Sequence, residues 1–397
     1  MKINENYKNL EESYLFSTIA KKVDEYTKAH PEAKVIKMGI GDVTLPICQK
    51  AADAFAKAAM EQGKAATFHG YGPEQGYDFL RVAVQKYYAS FQVEVAAEDI
   101  FISDGAKSDV GNILDLFDAD NTVLIPDPVY PVYMDTNVMA GRKIVFMDAN
   151  VENGFLPMPP KGQKADIIYL CSPNNPTGAV WKPETVEAIG RWAVEHHIWV
   201  ISDEIYEHLN YDDAHTTYIG AAVPECRGQL LVLNGVAKTY AMPGWRVGWM
   251  VAPLEVAKAA TKLQGHMTSN VANISQRAAL AAVAGPLDEV HEMRKAFDAR
   301  RRAIVTALND IEGVNCPTPT GAFYAFADIA ALLGKPLGPK GTVSDTSADF
   351  AAALLDEAHV AAVPGEAFGA PGYLRFSYAL ADEDLAEGMR RFKEWAN

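Results

Sequence analysis

Residues 230 to 249 have the sequence LLVLNGVAKTYAMPGWRVGW, and this stretch decides the fold. An apolar run ends in a turn of small residues that leads to Lys238. Arg246 comes eight residues later, at the start of a second apolar run. A lysine at the end of a buried strand must lose water or gain a partner, and both change its pKa and its reactivity. The stretch therefore predicts a core strand that places a reactive lysine at the edge of a sheet.

Apolar runs of the same kind recur along the chain. They are rich in β-branched residues, apolar on both faces, and bounded by Gly, Pro, Asp or Asn, which is typical of parallel strands covered on both sides. Amphipathic helical patterns, such as residues 183 to 197, lie between them and predict an α/β sheet with helical crossovers. The predicted strands are DIFIS (99–103), TVLIP (122–126), DIIYLC (166–171), IWVIS (198–202), QLLVL (229–233) and RVGWMVA (246–252).

The two ends of the chain depart from this alternation. An amphipathic segment (17–30) comes first, and a long charged helical pattern (289–311) follows the alternating region, with two short strand-like pieces (321–327 and 373–379) and a final helix after it. We therefore predict one large α/β domain and a smaller α+β domain built from both termini. The predicted segments are an arm with part of the small domain (1–44), the large domain (45–290) and the rest of the small domain (291–397).

Composition limits the class of protein. The 397 residues are 49% hydrophobic and have a formal net charge of −15, which predicts a globular protein and disfavours nucleic acid as a partner. The four cysteines form no CxxC pair, which favours a reducing, cytoplasmic location over a disulfide framework or a zinc cluster. The N-terminus lacks a signal-peptide pattern, and the apolar runs are too short to cross a bilayer. His196 and His197 end an amphipathic helix, so no metal site is predicted.

Residues with reactive or ligand-binding groups follow the predicted strands. Ligands of open α/β sheets bind beyond the carboxyl ends of the strands, so these residues are expected to meet there. They provide an anion-binding turn, aromatic rings, an amide, a carboxylate and several cations. In chain order they are Gly105, Ala106, Lys107, Tyr130, Asn175, Asp203, Tyr206, Lys238 and Arg246.

This set has the groups that pyridoxal phosphate requires. A lysine desolvated beside other cations has a lowered pKa and can bond to the cofactor's aldehyde carbon. A carboxylate keeps the pyridine nitrogen protonated, an aromatic ring stacks on the cofactor, and a helix N-terminus with an arginine binds the phosphate. A second arginine is needed for a substrate carboxylate, and Arg375, in the apolar piece YLRFSYA, is suited to that role.

Each of these residues also has an ordinary structural explanation. Taken alone, Lys238 would be a surface lysine, Asp203 a helix N-cap and Arg375 a structural ion pair. Their combination at strand ends favours the functional interpretation. Competing motifs fail: GYGPEQG (70–76) is not GxGxxG and follows no predicted strand, and the sequence contains no GxxxxGK[ST], HExxH or GxSxG.

Nearly the whole chain resembles the fold-type I, pyridoxal-phosphate-dependent aminotransferases of class I and II. The matching segments are SPNNPTG (172–178), SDEIYE (202–207), NGVAKTYAMPGWRVGW (234–249) and YLRFSYA (373–379). Residues 1 to about 180 resemble LL-diaminopimelate aminotransferases, as in FHGYGPEQGYDFLR (68–81). The remainder is similar to bacterial aspartate aminotransferases, as in VPGEAFGAPGYLRFSYAL (363–380). Either an engineered chimera or an unevenly diverged natural lineage would give such a mosaic.

The resemblance implies roles for single positions. Lys238 would bond to the cofactor and move the substrate proton, with Asp203 at the ring nitrogen. The other cofactor contacts would be Gly105, Ala106, Lys107 and Arg246 at the phosphate, Asn175 and Tyr206 at the ring hydroxyl, and Tyr130 against the ring. Arg375 would bind the substrate's α-carboxylate, and Asn175 and Gly41 would line the same pocket.

The resemblance also implies a homodimer with shared active sites. Across the interface, Tyr71 would reach the phosphate, and Glu74 would meet the distal amino group of diaminopimelate. Tyr14 and Asn270 would line the partner's pocket. Two positions depart from the family pattern: Gly235 stands where a hydroxyl residue is common, and Pro243 where threonine is common. The first departure predicts that one phosphate hydrogen bond is missing.

The sequence thus predicts a ping-pong aminotransferase that passes the nitrogen of an amino acid to a 2-oxo acid such as 2-oxoglutarate. Glu74 and Tyr71 favour LL-diaminopimelate as the amino donor, and aspartate is the alternative. A pyridoxal-phosphate lyase on the same fold is a further alternative, which product analysis would distinguish. A regulator with an aminotransferase-like domain is disfavoured because these 397 residues leave no room for a DNA-binding domain.

Overall fold

The computed structural model describes residues 3–10, 15–43, 46–158 and 162–397. Its helices are α1 (Leu15–Ala29), α2 (Gln49–Gln62), α3 (Asp78–Ser90), α4 (Ala106–Leu116), α5 (Pro131–Ala140), α6 (Pro183–His196), α7 (Ile219–Ala222), α8 (Leu254–Met267), α9 (Asn273–Val283), α10 (Asp288–Asn309), α11 (Ser347–Ala358) and α12 (Asp382–Ala396). Its strands are β1 (Ile36–Lys37), β2 (Ile100–Ser103), β3 (Thr122–Asp127), β4 (Lys143–Asp148), β5 (Ile167–Cys171), β6 (Trp199–Asp203), β7 (Leu230–Gly235), β8 (Gly248–Val251), β9 (Tyr324–Asp328), β10 (Pro336–Leu337), β11 (Thr342–Val343), β12 (Val360–Ala361), β13 (Val363–Pro364) and β14 (Tyr373–Ser377).

A sheet in the order β2-β8-β7-β6-β5-β3-β4 forms the centre of the molecule. The strands from β7 to β4 are parallel, as the sequence predicts. The prediction that residues 246 to 252 form a parallel strand is wrong, because β8 is antiparallel to both β7 and β2. The reason lies in the connection: residues 236 to 247 contain only a 3₁₀ turn, and no helix returns the chain to the opposite end of the sheet.

The strand β4 was not predicted from the sequence. It lies at the edge of the sheet, next to β3 alone, and most of its residues are partly or fully exposed. A strand covered incompletely on its faces lacks the continuous apolar run that identifies the buried strands. This explains why the sequence indicates the buried strands, including β2 at the opposite edge, and not β4.

Helices cover both faces of the sheet. In β2, Phe101 packs into the core on one face, while Ile100 and Ile102 pack into the core on the other. The residues of β7 alternate between the same two cores. Every residue of β2 and β7 is buried, so these strands are covered on both faces and a ligand can approach them only at the strand ends.

A second region joins the two ends of the chain. The strands β13, β14 and β9 form an antiparallel sheet, and β1 pairs in parallel with β12, so residues near the N-terminus meet residues near the C-terminus. The proposed division into domains stays a prediction; its second boundary, at 290/291, falls in the first turn of α10. Within the described segments, no helix has the length and apolar character needed to span a membrane.

Candidate active site

A cavity of about 480 Å³ opens at the carboxyl ends of the parallel strands. The register of β5, β6 and β7 places the last residues of β5 and β6 side by side, Cys171 opposite Asp203, with Asp203 opposite Leu233 of β7. The cavity brings together these predicted residues: Gly41, Gly105, Ala106, Lys107, Tyr130, Asn175, Asp203, Tyr206, Lys238, Arg246 and Arg375. Its volume suits a small cofactor with a substrate beside it.

Lys238 stands just beyond β7. Its Nζ donates to the carbonyl oxygen of Gly41 at 2.6 Å and lies 5.5 Å from the centre of the Phe323 ring. Burial lowers the pKa of Lys238 to about 8, and the positive charges of Arg375 and Arg246 act in the same direction against the opposing charge of Asp42. A substantial fraction of the amine is therefore neutral near physiological pH, and a neutral amine is the nucleophilic form.

Asp203 ends β6 inside the protein. Its Oδ2 accepts a hydrogen bond from the Tyr133 hydroxyl at 2.6 Å, and its Oδ1 accepts one from the backbone N–H of Ile205 at 3.1 Å. Burial raises the pKa of Asp203 above its ordinary value, although both hydrogen bonds oppose the rise. Both donors are neutral, so a cation in the cavity would stabilise this carboxylate strongly. A protonated ring nitrogen is such a cation.

An anion-binding turn precedes α4. Gly105 has φ +121°, and a Cβ there would lie 2.7 Å from an Nη of Arg246, so the guanidinium occupies the space that a side chain would fill. Arg246 itself lies in the left-handed region with φ +55° and donates from Nη1 to the Pro243 carbonyl at 2.9 Å. The first N–H groups of α4 have no acceptor within the helix, so helix and arginine together form an anion site.

Asn175 and Arg375 hold each other at the opposite wall. Arg375 donates from Nη1 to Asn175 Oδ1 at 2.8 Å and from Nη2 to the Gly39 carbonyl at 2.9 Å. Its guanidinium lies over the ring of Tyr324, 4.4 Å from the centroid, and 4.9 Å from that of Phe368. These contacts fix a buried, planar cation that can bind a carboxylate with two parallel hydrogen bonds.

Two further predicted residues of the cavity, Tyr130 and Tyr206, are aromatic. Tyr130 lies between β3 and α5, and its ring meets that of Tyr133 edge to face, 5.7 Å between centroids. The hydroxyls of Tyr206 and Tyr324 lie 2.8 Å apart. Burial raises the pKa of Tyr206 well above its usual range, with Tyr324 acting in the same direction, so Tyr206 stays protonated and can act as a hydrogen-bond donor.

Two residues with clear roles in the cavity were missed from the sequence. Tyr133 supports Asp203, and Tyr324 contacts both Tyr206 and Arg375. Tyr133 follows Tyr130 by three residues, just beyond the predicted strand TVLIP, and Tyr324 lies in the strand-like piece GAFYAFA. A search for hydroxyls near the strand ends would have found the first. The second comes from β9 in the sheet near the C-terminus, and its approach to the cavity depends on the folded arrangement.

The departure at Gly235 has a steric explanation. Gly235 of β7 pairs with Gly248 of β8, and a Cβ on Gly235 would lie 2.9 Å from both the Gly248 Cα and the Val247 carbonyl oxygen. A Cβ on Gly248 would in turn meet the Ala106 nitrogen at 2.6 Å. The backbone of β8 thus takes the place where a hydroxyl side chain on Gly235 would begin.

Three other predicted residues do not reach the cavity of their own chain. Tyr71 is 91% exposed, and Glu74 is exposed beside Gly265 of α8. Asn270 is half-buried and donates to the Val271 carbonyl oxygen at 2.7 Å. Asn273 donates to the carbonyl of Gly70, which brings the Tyr71 loop beside the turn that contains Asn270. The predicted substrate residue Tyr14 lies outside the described residues.

Comparison with known proteins agrees with this geometry. Residues 33–392 match the model of the family "Aminotransferase class I and II", and the chain belongs to that family. It is 44% identical to an aspartate aminotransferase of Streptomyces avermitilis over 94% of this chain and 92% of the relative. It is 37% identical to an LL-diaminopimelate aminotransferase of Desulfosudis oleivorans over 99% and 98%. The crystal structure of an aspartate aminotransferase from Rhizobium meliloti superposes with a TM-score of 0.92 at 29% identity, covering 100% of this chain and 99% of that one.

The chain is thus a pyridoxal-phosphate-dependent aminotransferase. Its residues are suited to the cofactor: an anion site for phosphate, a buried carboxylate that lacks a cationic donor in its two hydrogen bonds, and a desolvated lysine. Bound pyridoxal phosphate supplies an electron sink for the substrate's α-carbon. With the cofactor bound, Lys238 would accept and return the proton at that carbon, and Arg375 would hold the adjacent carboxylate, as the sequence predicts.

Proposed function

We propose that this aminotransferase uses aspartate as its amino donor and 2-oxoglutarate as its acceptor, in a ping-pong cycle. The observation behind this proposal is the charge of the cavity wall. Besides Lys238, the wall contains the cations Lys107, Arg246 and Arg375, against the carboxylates Asp42 and Asp203. With a phosphate at Arg246 and an α-carboxylate at Arg375, Lys107 adds a third positive charge, which suits a substrate with a second carboxylate. The 44% identity to an aspartate aminotransferase supports the same assignment.

Lys107 allows a sharp test of this assignment. The variant Lys107→Met removes the charge and keeps most of the side-chain length. If Lys107 meets the distal carboxylate, kcat/KM for aspartate falls about tenfold or more, while kcat/KM for alanine, which has no distal carboxylate, changes little. If Lys107 instead binds the cofactor phosphate, as the family resemblance implies, both values and the cofactor affinity fall together. The second result would remove the support that Lys107 gives to aspartate.

LL-Diaminopimelate is the second candidate, and Glu74 is the observation that favours it. In a homodimer with shared sites, this exposed carboxylate would face the partner's cavity and attract a distal ammonium group, while repelling the second carboxylate of aspartate. Glu74→Gln would then weaken turnover of LL-diaminopimelate and spare or improve turnover of aspartate. Equal, small changes for the two amino acids would show that Glu74 is a solvated surface residue.

We propose the homodimer itself from the surface around Tyr71. The exposed fractions of Phe68, Tyr71 and Met267 are 63%, 91% and 59%, which is unusual for large apolar side chains. Glu74 beside Gly265, and Asn273 bonded to Gly70, place these residues on one face. A second copy covering this face would bury the apolar side chains and complete the partner's cavity.

The mosaic remains a hypothesis about the origin of the chain. The alignments with the aspartate and the diaminopimelate enzymes each cover at least 94% of it, so their ends mark no junction near residue 180. The substrate must therefore be decided by kinetics. Aspartate, LL-diaminopimelate and alanine should be compared as amino donors to the same holoenzyme, by the loss of the absorbance of the lysine-bound cofactor. Formation of a keto acid without consumption of an acceptor would instead indicate a lyase.

A further inference from the structure

Tyr324 makes contacts to three residues of the active site. Its ring lies 4.4 Å from the guanidinium carbon of Arg375, and its hydroxyl lies 2.8 Å from that of Tyr206. Its hydroxyl also occupies the space next to Gly41 that a Cβ there would fill. Tyr324 thus lies between the residue proposed for the substrate carboxylate and the residue proposed for the ring hydroxyl of the cofactor.

The charge above the ring affects the hydroxyl. A cation over an aromatic face withdraws electron density, so the guanidinium of Arg375 makes the Tyr324 hydroxyl a stronger donor. Either hydroxyl can donate the bond between Tyr324 and Tyr206. When Tyr324 donates it, the Tyr206 hydroxyl is polarised and the hydrogen bond that Tyr206 donates is strengthened. A substrate carboxylate neutralises Arg375 and removes this effect.

We propose that Tyr324 is a positioning residue that couples carboxylate binding at Arg375 to the strength of the hydrogen bond that Tyr206 donates. This inference rests on the proposed function and deepens it, because it links substrate binding to the cofactor through this chain's own side chains. The titratable or charged neighbours that influence Tyr206 are Tyr324, Cys171 and Arg375. Cys171 is buried and its thiol pKa is raised, so it stays neutral in the working range.

The test uses the holoenzyme and the variant Tyr324→Phe, which keeps the ring over Arg375 and removes the hydroxyl. The absorbance of the lysine-bound cofactor is titrated with pH, with and without succinate, a dicarboxylate that has no amino group to transfer. A weaker donor at Tyr206 stabilises negative charge on the ring oxygen less, so the midpoint of Tyr324→Phe should rise by about 0.5–1 pH unit. Succinate should raise the midpoint of the wild type by more than it raises that of the variant.

Two controls separate coupling from loss of structure. Tyr378→Phe removes another buried hydroxyl of the same region, which bonds to the Ala322 carbonyl at 3.2 Å and does not line the cavity. It should leave the midpoint unchanged. The affinity of the cofactor-free protein for succinate, measured by calorimetry, should change less than about threefold in Tyr324→Phe, because the contact with Arg375 is retained.

A double-mutant cycle supplies the decisive result. If Tyr324 acts through Tyr206, Tyr324→Phe has no further effect on the midpoint in the Tyr206→Phe background. An unchanged midpoint in Tyr324→Phe alone, an equal shift in Tyr378→Phe, or effects that add in the double variant would each overturn the inference. If succinate neither binds to the wild type nor moves its midpoint, the proposed role of Arg375 is wrong, and this inference falls with it.

Discussion

Lys238 must be neutral to attack a carbonyl carbon, so its pKa controls how the apoprotein acquires its cofactor. The pKa of about 8 follows from burial, with Asp42 raising it and two arginines lowering it. The rate of pyridoxal phosphate attachment should therefore rise with pH through a midpoint near 8, measured by stopped-flow absorbance. Asp42→Asn removes the one charge that raises this pKa and should move the midpoint to lower pH. A midpoint near 10 would mean that the amine is solvated.

Replacing Asp203 with asparagine should lower the activity of the enzyme but remove a pH-dependent loss of stability from the apoprotein. Asp203→Asn removes the charge that holds a protonated ring nitrogen, so kcat should fall about a hundredfold or more. The folded-state pKa of Asp203 is raised, so between its ordinary value and that raised value the folded protein binds more protons than the unfolded chain, and stability falls as pH rises through this window. Asparagine does not ionise, so the stability of Asp203→Asn should not fall with pH in this way.

Thermal unfolding of the two apoproteins tests the second half of this prediction. The difference in Tm, variant minus wild type, should increase as the pH rises above the ordinary carboxyl pKa of 3.8, because only the wild type must then bury a charge. A constant difference across this range would show that the carboxylate of Asp203 is already compensated in the apoprotein. The holoenzyme should show the reverse order of stability, since the cofactor then provides the cation.

The residue types of the site could be predicted because each follows a strand with a recognisable pattern. Lys238, Asp203 and Asn175 are all found by looking just beyond an apolar run. Tyr324 could not be found this way, since its role depends on the sheet formed near the C-terminus approaching the central one. Arg246 was predicted as a strand residue, but it precedes β8 in a left-handed conformation that aims its guanidinium at Gly105.

At the level of elements, the close approach of β7, β8 and α4 depends on a pair of glycines. Gly235→Ala places a Cβ 2.9 Å from two backbone atoms, the Gly248 Cα in β8 and the Val247 carbonyl oxygen just before it, and backbone cannot rotate away as a side chain can. The variant should lose about 1–3 kcal/mol of stability in denaturant unfolding, and it should bind cofactor more weakly because β8 supports the N-terminus of α4. Gly244→Ala is the matched control, since a Cβ there meets nothing within 4 Å. Equal stability of the two variants would contradict this account of the glycine pair.

The direction of β8 could not be predicted from the sequence. Its sequence is as apolar as that of the parallel strands, and burial alone does not distinguish the two directions. The direction of β8 is decided by the absence of a helix between β7 and β8. That absence can be recognised only when residues 236 to 247 are known to form a compact loop around Lys238. The compact loop that contains Lys238 is therefore also the connection that makes β8 antiparallel to β7.

At the scale of the whole molecule, the positions of Tyr71, Glu74 and Asn270 link the active site to subunit association. They lie on one face of the chain and outside its own cavity. The sequence resemblance predicts that they serve a partner's site, and Tyr71 and Glu74 are exposed and accessible to a partner. An isolated chain cannot complete such a site, so activity and subunit association should depend on each other.

Hybrid dimers test this arrangement directly. Lys238→Ala removes the lysine from every site of its homodimer, and Tyr71→Ala removes the proposed phosphate contact from every site of its own. When the two are mixed and subunits exchange, a hybrid has one site with both substitutions and one with neither, provided that Tyr71 serves the partner. Random exchange makes half of the dimers hybrid with one intact site each, so activity should recover to about a quarter of the wild-type value.

If Tyr71 serves its own subunit, both hybrid sites are damaged and no recovery occurs. Mixing Lys238→Ala with Asp203→Asn is the control without recovery, since both residues lie in the same chain's cavity.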